Sequence, residues 1–130
     1  MIFLRYNKVA LAFSVFIISL CGFPGDKMPT LEFMDLLSFD KMAHFFCFGL
    51  LCFFTVTGLA KYLHFSYLRR HALRWAVAYC LLLAATTEIA QALLAIHRTG
   101  DWLDFLADGI GVTLGAVIYV VVYNKKKSLV

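Results

Sequence analysis

Four long apolar runs alternate with shorter polar stretches along the chain. The runs lie at about residues 6–23, 42–59, 72–96 and 102–123. Each is close to the length of about 20 residues that an α-helix needs to cross the hydrocarbon core of a bilayer, at about 1.5 Å per residue. The sequence therefore predicts an all-α integral membrane bundle of four transmembrane helices, forming a single domain over residues 1–130.

The composition changes this picture little but excludes the soluble classes. Hydrophobic residues make up 62% of the chain and charged residues 15%, whereas soluble domains are roughly 45–50% apolar. So few charged residues cannot cover the surface of a water-soluble globule. An integral membrane protein is therefore expected.

The first apolar run has features of both a signal peptide and a membrane helix. Arg5 and Lys8 precede most of it, as a basic n-region would. However, no small-x-small cleavage site follows the apolar stretch. We therefore favour a retained transmembrane helix.

Basic residues are distributed unevenly between the two sides of the predicted bundle. Nine lie at the N-terminus, between the second and third runs, or in the C-terminal tail, and three lie in the other two loops. The positive-inside rule then predicts that both termini are cytoplasmic. Contact with anionic membrane lipids accounts for the basic stretches without a nucleic-acid role. The nine are Arg5, Lys8, Lys61, Arg69, Arg70, Arg74, Lys125, Lys126 and Lys127, and the three are Lys27, Lys41 and Arg98.

Polar residues on three of the predicted helices share one outer depth. Asp104 and Asp108 are four positions apart on the fourth helix, and Glu88 and Gln91 are three apart on the third, so each pair shares a helix face. Ionisable residues at membrane depth almost always face the bundle interior or a wet cavity. We predict an outward-facing polar cluster that serves as a binding site. Its members are Asp40, Lys41, His44, Glu88, Gln91, Arg98, Asp101, Asp104 and Asp108.

Structural roles compete with binding at several of these positions. Asp40 and Asp101 could be N-caps, whose side chains accept hydrogen bonds from free backbone N–H groups. Asp104, three residues after Asp101, could complete a capping box. Capping does not reach Asp108, nor Glu88 in the middle of its helix.

Two glycines continue the face of the fourth helix that carries the aspartates. Gly111 and Gly115 form a GxxxG pair. Such pairs let the backbones of two membrane helices approach closely. We therefore predict that this face packs against another helix of the bundle.

The charges of the predicted cluster do not cancel. Even without Asp101, its four other acids outnumber its two basic residues and one histidine: Asp40, Glu88, Asp104 and Asp108 against Lys41, Arg98 and His44. The carboxylates cannot all be charged and dry, so protonation, a divalent metal, a cationic ligand or water must balance them. The sequence leaves these alternatives open. No cofactor motif is evident.

The stretches "FDKMAHFFCFGLL" and "TTEIAQALLAIHRTGDWLDFLADGIGVTLG" resemble the VanZ-like membrane protein family. That family shows D-K-x-x-H-F at the opening of the second helix, E-x-x-Q on the third, an arginine in the following loop, and D-x-x-x-N-x-x-G-x-x-x-G on the fourth. One departure is Asp108, where the family usually carries asparagine. The resemblance spans residues 40–121. The matching positions are Asp40, Lys41, His44, Phe45, Glu88, Gln91, Arg98, Asp104, Gly111 and Gly115.

The resemblance implies a multi-pass protein of the bacterial cytoplasmic membrane with a role at the cell envelope. The founding member of the family is linked to resistance against teicoplanin, a lipid-bearing glycopeptide that acts at the outer face of the membrane. The implied partners are membrane lipids and an amphipathic envelope molecule, either a lipid-linked precursor or a lipoglycopeptide. A link to glycopeptide resistance follows from the same resemblance.

Three classes of function fit these observations. We favour a protein that binds or handles an amphipathic envelope molecule. The alternatives are a metal-dependent intramembrane enzyme acting on a lipid-linked phosphate or sugar, and a proton-coupled transporter with Glu88 or Asp108 as the relay. Oxygen ligands with one histidine suit magnesium, calcium or manganese. Four short helices leave little room for a monomeric channel, so transport would require homo-oligomers.

Overall fold

The computed structural model describes residues 2–21, 39–62, 66–94 and 102–127. All regular structure in these ranges is helical, and no strand occurs within them. Four of the helices are long and apolar enough to cross a membrane. The predicted all-α bundle of four membrane-crossing helices is therefore confirmed.

Within the described ranges, five helices follow one another. Helix α3 is a short helix of five residues in the basic stretch between the second and third membrane-crossing helices. This helix was not predicted from the sequence. The other four are the long helices of the bundle. In order, the elements are α1 (Ile2–Cys21), α2 (Phe39–Lys61), α3 (Ser66–Arg70), α4 (Ala72–Leu94) and α5 (Trp102–Lys127).

The long helices extend past the predicted apolar runs at several ends. Helix α1 begins at Ile2 rather than near residue 6, and α5 continues to Lys127 rather than ending near residue 123. Hydropathy finds only the part of a helix inside the hydrocarbon, whereas the hydrogen-bonded backbone continues through the interface. Lysines at the end of α5 favour this extension because they are good helix formers and suit the negative end of the helix dipole.

Helix α2 is the centre of the bundle and packs against α1, α4 and α5. Its buried face carries Phe48, Leu51, Cys52 and Val56, which are almost fully shielded by the other helices. Helix α4 meets this face with small residues. Those at four-residue spacing are Ala72, Ala76, Cys80 and Ala84. Small side chains on one helix let the larger ones on α2 interdigitate with it at close range.

A close approach between α2 and α5 fixes their relative position. A Cβ added at Gly111 would overlap the backbone carbonyl of Phe45, and one added at Gly115 would overlap the carbonyl of Gly49. A Cβ added at Gly49 would lie 3.1 Å from the carbonyl oxygen of Gly111. We call Gly49, Gly111 and Gly115 the glycine seam. Any larger residue in the seam would push the two helices apart.

Polar side chains inside the bundle mostly return to backbone carbonyls of their own helix. Thr55 donates to the carbonyl of Leu51 at 2.7 Å, one turn earlier. Ser14 donates in the same way to Ala10 at 2.8 Å, and its hydroxyl oxygen lies 2.8 Å from the hydroxyl of Tyr79 on α4. This contact joins α1 to α4. Hydroxyl groups can therefore be buried in an apolar bundle at little cost.

Candidate functional site

The first contact of the candidate site is an ion pair between the opening turns of α2 and α5. The Nζ atom of Lys41 lies 2.9 Å from Oδ1 of Asp104. The Lys41 side chain is 32% exposed and that of Asp104 is 10% exposed. The pair therefore lies at the edge of the bundle, with its lysine towards the outside.

One helical turn deeper, His44 joins the two carboxylates that lie farthest into the bundle. Its Nδ1 atom is 3.0 Å from Oδ1 of Asp108 on α5 and 4.0 Å from Oε1 of Glu88 on α4. The side chain of Asp108 is completely buried, and those of His44 and Glu88 are 8% and 12% exposed. We call His44, Glu88 and Asp108 the buried triad. Three helices each contribute one of its members.

Helix periodicity explains why these side chains meet. Lys41 and His44 are three residues apart on α2, and Asp104 and Asp108 are four apart on α5, so each pair lines one helix face. Both helices begin at the same end of the bundle and run in the same direction. Lys41 thus pairs with Asp104, and His44 pairs with Asp108. The glycine seam continues the same two faces one to two turns further down.

The imidazole of His44 is held from below by an aromatic side chain. The ring of Phe48, one turn further along α2, lies nearly parallel to it, with 12° between the planes and 6.4 Å between the centroids. Phe48 is itself buried in the core. Phe48 therefore occupies the space one turn below the imidazole, on the buried side of α2.

Gln91 lies at the same end of the bundle but makes a different contact. It is buried, and its Nε2 atom lies 3.5 Å from the backbone carbonyl oxygen of Cys21 at the end of α1. That distance is at the long limit of a hydrogen bond. Gln91 therefore connects α4 to α1 rather than entering the buried triad.

The remaining members of the predicted cluster are described only in part. The backbone of Asp40 lies in the first turn of α2. Arg98 and Asp101 fall outside the described residues. The structure thus brings together five of the nine residues at one place, which we call the polar site. They are Lys41, His44, Glu88, Asp104 and Asp108.

The polar site is acidic overall. Its three carboxylates outnumber its single lysine, so the formal charge is −2 with a neutral His44 and −1 with a protonated one. Charges in a low-dielectric interior need compensation by partners, water or bound ions. The site is thus suited to a ligand or ion that carries positive charge.

A comparison with known proteins shows which family the chain belongs to. Residues 2–123, nearly the whole chain, match the family model described as VanZ/LLP1. The chain belongs to the VanZ/LLP1 family. No curated protein and no solved structure matches it significantly. Family membership and the four apolar helices make it a multi-pass membrane protein.

Within this VanZ/LLP1 protein, the buried triad has the donor atoms of a metal site. His44, Glu88 and Asp108 each offer one ligand atom, and these three atoms lie within 4.8 Å of one another. The same side chains could instead form a hydrogen-bonded network, or contact the polar head of a bound molecule. The geometry of the buried triad is compatible with each of these three arrangements.

Sequence reasoning missed two residues that position the site. Gly49 supplies the close approach on the α2 side, and Phe48 packs against His44. A glycine inside a membrane helix is a signal for close packing, and Gly49 lies one turn beyond Phe45 of the D-K-x-x-H-F stretch. Phe48 carries no such signal because phenylalanine is common throughout the helices.

Proposed function

We propose that this VanZ/LLP1 protein binds the polar head of an amphipathic cell-envelope molecule at the outer leaflet of the bacterial cytoplasmic membrane. The ligand class is a lipid-linked envelope precursor or a lipoglycopeptide. In this proposal the polar site receives the head, and the neighbouring apolar helix surface receives the lipid chain. A contribution to glycopeptide resistance would follow if binding keeps the antibiotic from its target or alters that target.

One observation carries the proposal. Charged side chains from α2, α4 and α5 meet within the bundle near one end, at distances of 2.9 to 4.0 Å. A carboxylate alone in lipid costs several kcal/mol, so proteins rarely place charges there without a function. A glycine seam would hold two helices together without any of these charges. The charges therefore favour a role in binding.

The surface beside the polar site supports an amphipathic ligand. Large apolar side chains are exposed at the same end of the bundle, where α2 and α5 begin and α4 ends. Lys41 is the most exposed member of the polar site, with 32% of its side chain accessible. A ligand with a charged head and an acyl or polyprenyl chain matches both surfaces. The exposed apolar residues are Met42, Phe46, Ile89, Leu93 and Trp102.

The distribution of basic residues supports placing this end outward. Arg5, Lys61 and Arg74 lie at the opposite ends of α1, α2 and α4 and are exposed. Basic residues are enriched on the cytoplasmic side of membrane proteins. The polar site would then face the compartment in which envelope precursors and glycopeptides meet the membrane.

Binding to the purified protein in lipid nanodiscs tests the proposal. The probes are teicoplanin, teicoplanin without its acyl chain, and a polyprenyl-pyrophosphate-linked sugar precursor. The precursor is offered with and without a divalent cation, because its anionic pyrophosphate needs a counter-charge beside three carboxylates. We expect saturable binding of at least one lipid-bearing probe, and at least a tenfold weaker affinity for the deacylated glycopeptide. Each buried CH₂ contributes about 0.8 kcal/mol to binding. Loss of a whole acyl chain therefore removes more binding free energy than a tenfold change in affinity requires.

Two substitutions on α4 provide the matched comparison. Glu88→Gln removes one charge from the buried triad while keeping its shape, and binding should be lost. Thr86→Val alters an exposed side chain two residues away that donates only to the carbonyl of Leu83 on its own helix, and binding should persist. Equal binding by both variants, or no binding of any probe above empty nanodiscs, would refute the proposed function.

A further inference from the structure

We propose that the buried triad of His44, Glu88 and Asp108 is a binding site for one divalent cation of the Mn²⁺ class. This inference goes beyond the binding of an envelope molecule, because a cation can occupy the triad whether or not such a ligand is present. It would make this membrane protein a metalloprotein. Distances, donor chemistry and charge support the assignment.

The distances within the triad match those between ligands of one metal ion. Metal–ligand bonds of about 2.1 to 2.3 Å place neighbouring ligand atoms about 3 Å apart and opposite ones about 4.5 Å apart. Nδ1 of His44 lies 3.0 Å from Oδ1 of Asp108 and 4.0 Å from Oε1 of Glu88. All three ligand atoms lie within 4.8 Å of one another. A cation between them needs only small side-chain adjustments.

The donor set selects the kind of cation. Carboxylates suit magnesium, calcium and manganese, and an imidazole nitrogen suits later transition metals such as zinc and iron. One imidazole with two carboxylates combines both preferences. Mn²⁺ accepts both donor types, and water or a ligand head group could complete its shell from the side of Lys41.

The formal charge of the described polar-site residues also favours a dication. A histidine that ligates a metal is neutral, and the polar site then has a formal charge of −2. A single divalent cation brings this total to zero. The most buried carboxylate, on Asp108, is completely shielded from solvent. Neutralisation by a cation removes the main electrostatic cost of burying the triad.

The scaffold around the triad suits a defined coordination geometry. The ring of Phe48 lies nearly parallel to that of His44 one turn below it, and backbone contact at Gly111 fixes α5 against α2. Ligands held by rigid helices keep their positions better than ligands on loops. The alternative is a direct ion pair between a protonated His44 and Asp108, which uses the same 3.0 Å contact.

Titration with Mn²⁺ alone separates these two arrangements. The full-length protein is purified in detergent, stripped with EDTA, and titrated while free Mn²⁺ is followed by electron paramagnetic resonance. We expect one bound Mn²⁺ per chain. Pulsed measurements should show coupling of the bound ion to a ¹⁴N nucleus of imidazole. No saturable binding, or bound Mn²⁺ without nitrogen coupling, would overturn the proposal.

Two charge-neutral variants distinguish ligation from general attraction. His44→Gln removes the imidazole without changing the charge of a metal-bound triad, and should weaken binding at least 10- to 100-fold, since even loss of an outer-shell partner has effects of that size. The double variant Lys41→Gln with Asp104→Asn removes the neighbouring ion pair but keeps every triad ligand. Its affinity should stay within about threefold, because its net charge is also unchanged. Unchanged affinity in His44→Gln would overturn the assignment, as would an equal loss in the double variant.

The outcome is separable from that of the proposed function. Mn²⁺ binding is measured without any envelope molecule, and the nanodisc experiment is run both with EDTA and with Mn²⁺. Cation binding without ligand binding retains the metal site and rejects the proposed function. Ligand binding in EDTA together with no Mn²⁺ binding does the reverse.

Discussion

The two ends of the bundle carry opposite charges and place them differently. At one end, the acidic residues Glu88, Asp104 and Asp108 turn inward and are largely buried between helices. At the other end, basic residues such as Arg5, Lys8, Arg69 and Arg70 are exposed. Each end is therefore strongly charged, but among the described residues the charges come together inside the protein at the acidic end alone.

This difference indicates different physical roles. Exposed basic side chains at a helix end extend to the membrane surface, where they set orientation and contact anionic lipids. Buried carboxylates cannot do either, because they are shielded from the interface. They must interact with other groups of the bundle, or with something that enters it. The acidic end is accordingly where we place the binding site.

Removing charge should have its largest effect on function at the acidic end. Glu88→Gln and Asp104→Asn keep side-chain shape and lose charge, and should abolish function with the protein still inserted. Asp108→Asn should be milder, since asparagine is usual there in the VanZ-like pattern. The measurement is complementation of a deletion strain, together with the level of membrane-inserted protein.

The matched control is Arg69→Gln, which removes one exposed charge at the basic end and should complement fully. Two results would break the contrast between the ends. Full activity of all three acidic variants at normal protein level would make the carboxylates structural. Loss of the protein itself in all three would mean that the cluster maintains the fold and that the site lies elsewhere.

Topology mapping tests which end of the bundle faces the cytoplasm. Nine basic residues against three predict cytoplasmic termini. A reporter fused after Val130 should therefore read cytoplasmic, and one inserted within residues 26–35 should read extracytoplasmic. The reverse readings would place the polar site on the cytoplasmic side and remove the basis for an outer-leaflet ligand.

Stability measurements can separate packing from charge at the acidic end. Gly115→Leu should lower the free energy of unfolding in detergent by roughly 1–3 kcal/mol, because the new side chain meets the carbonyl of Gly49 and the Cβ of Cys52. Gly111→Ala should also destabilise, by its overlap with the carbonyl of Phe45. Gly109→Ala is the control, since a Cβ there has nothing within 4 Å. It should be neutral or slightly stabilising through helix propensity.

One result of the glycine substitutions would contradict this prediction. If Gly111→Ala and Gly109→Ala melt at the same temperature, the close approach of α2 and α5 contributes nothing measurable. The register that places His44 beside Asp108 would then lack its main support.

The smallest expected change in stability comes from the ion pair at the edge of the polar site. A double-mutant cycle with Lys41→Met and Asp104→Asn should give a coupling energy of about 0.5–1 kcal/mol, reduced by added salt, because Lys41 is partly exposed. A much larger, salt-insensitive coupling would mean that this pair is sealed off from water. The lysine would then be part of the core rather than of an accessible site.

Much of the helical architecture could be predicted from sequence because two strong signals agree. Apolar length indicated the four long helices, and spacing of three or four residues placed Asp104 with Asp108 on one face. The specific pairing could not be predicted in this way. The predicted cluster contains two basic residues, Lys41 and Arg98, and the spacing does not show which of them pairs with Asp104. The parallel packing of α2 and α5 places Lys41 on Asp104. Arg98 lies outside the described residues.

Contacts that depend on tertiary packing could also not be predicted from the sequence. The hydroxyl contact between Ser14 and Tyr79 joins two helices that are far apart in sequence. Serine and tyrosine in apolar helices also often bond to their own backbone or face the interface. Periodicity shows which side chains share a face. It does not show which helix that face meets.

An experimental density map of the protein purified with lipids from its own membrane would show directly whether the polar site holds the head group of a ligand. We expect a polar head group within hydrogen-bonding distance of Lys41 and the buried triad, with a chain running along the exposed apolar surface of the neighbouring helices. A map in which the carboxylates, His44 and Lys41 contact only one another and water would contradict it. The acidic end would then be a structural network, and its difference from the basic end would concern folding alone.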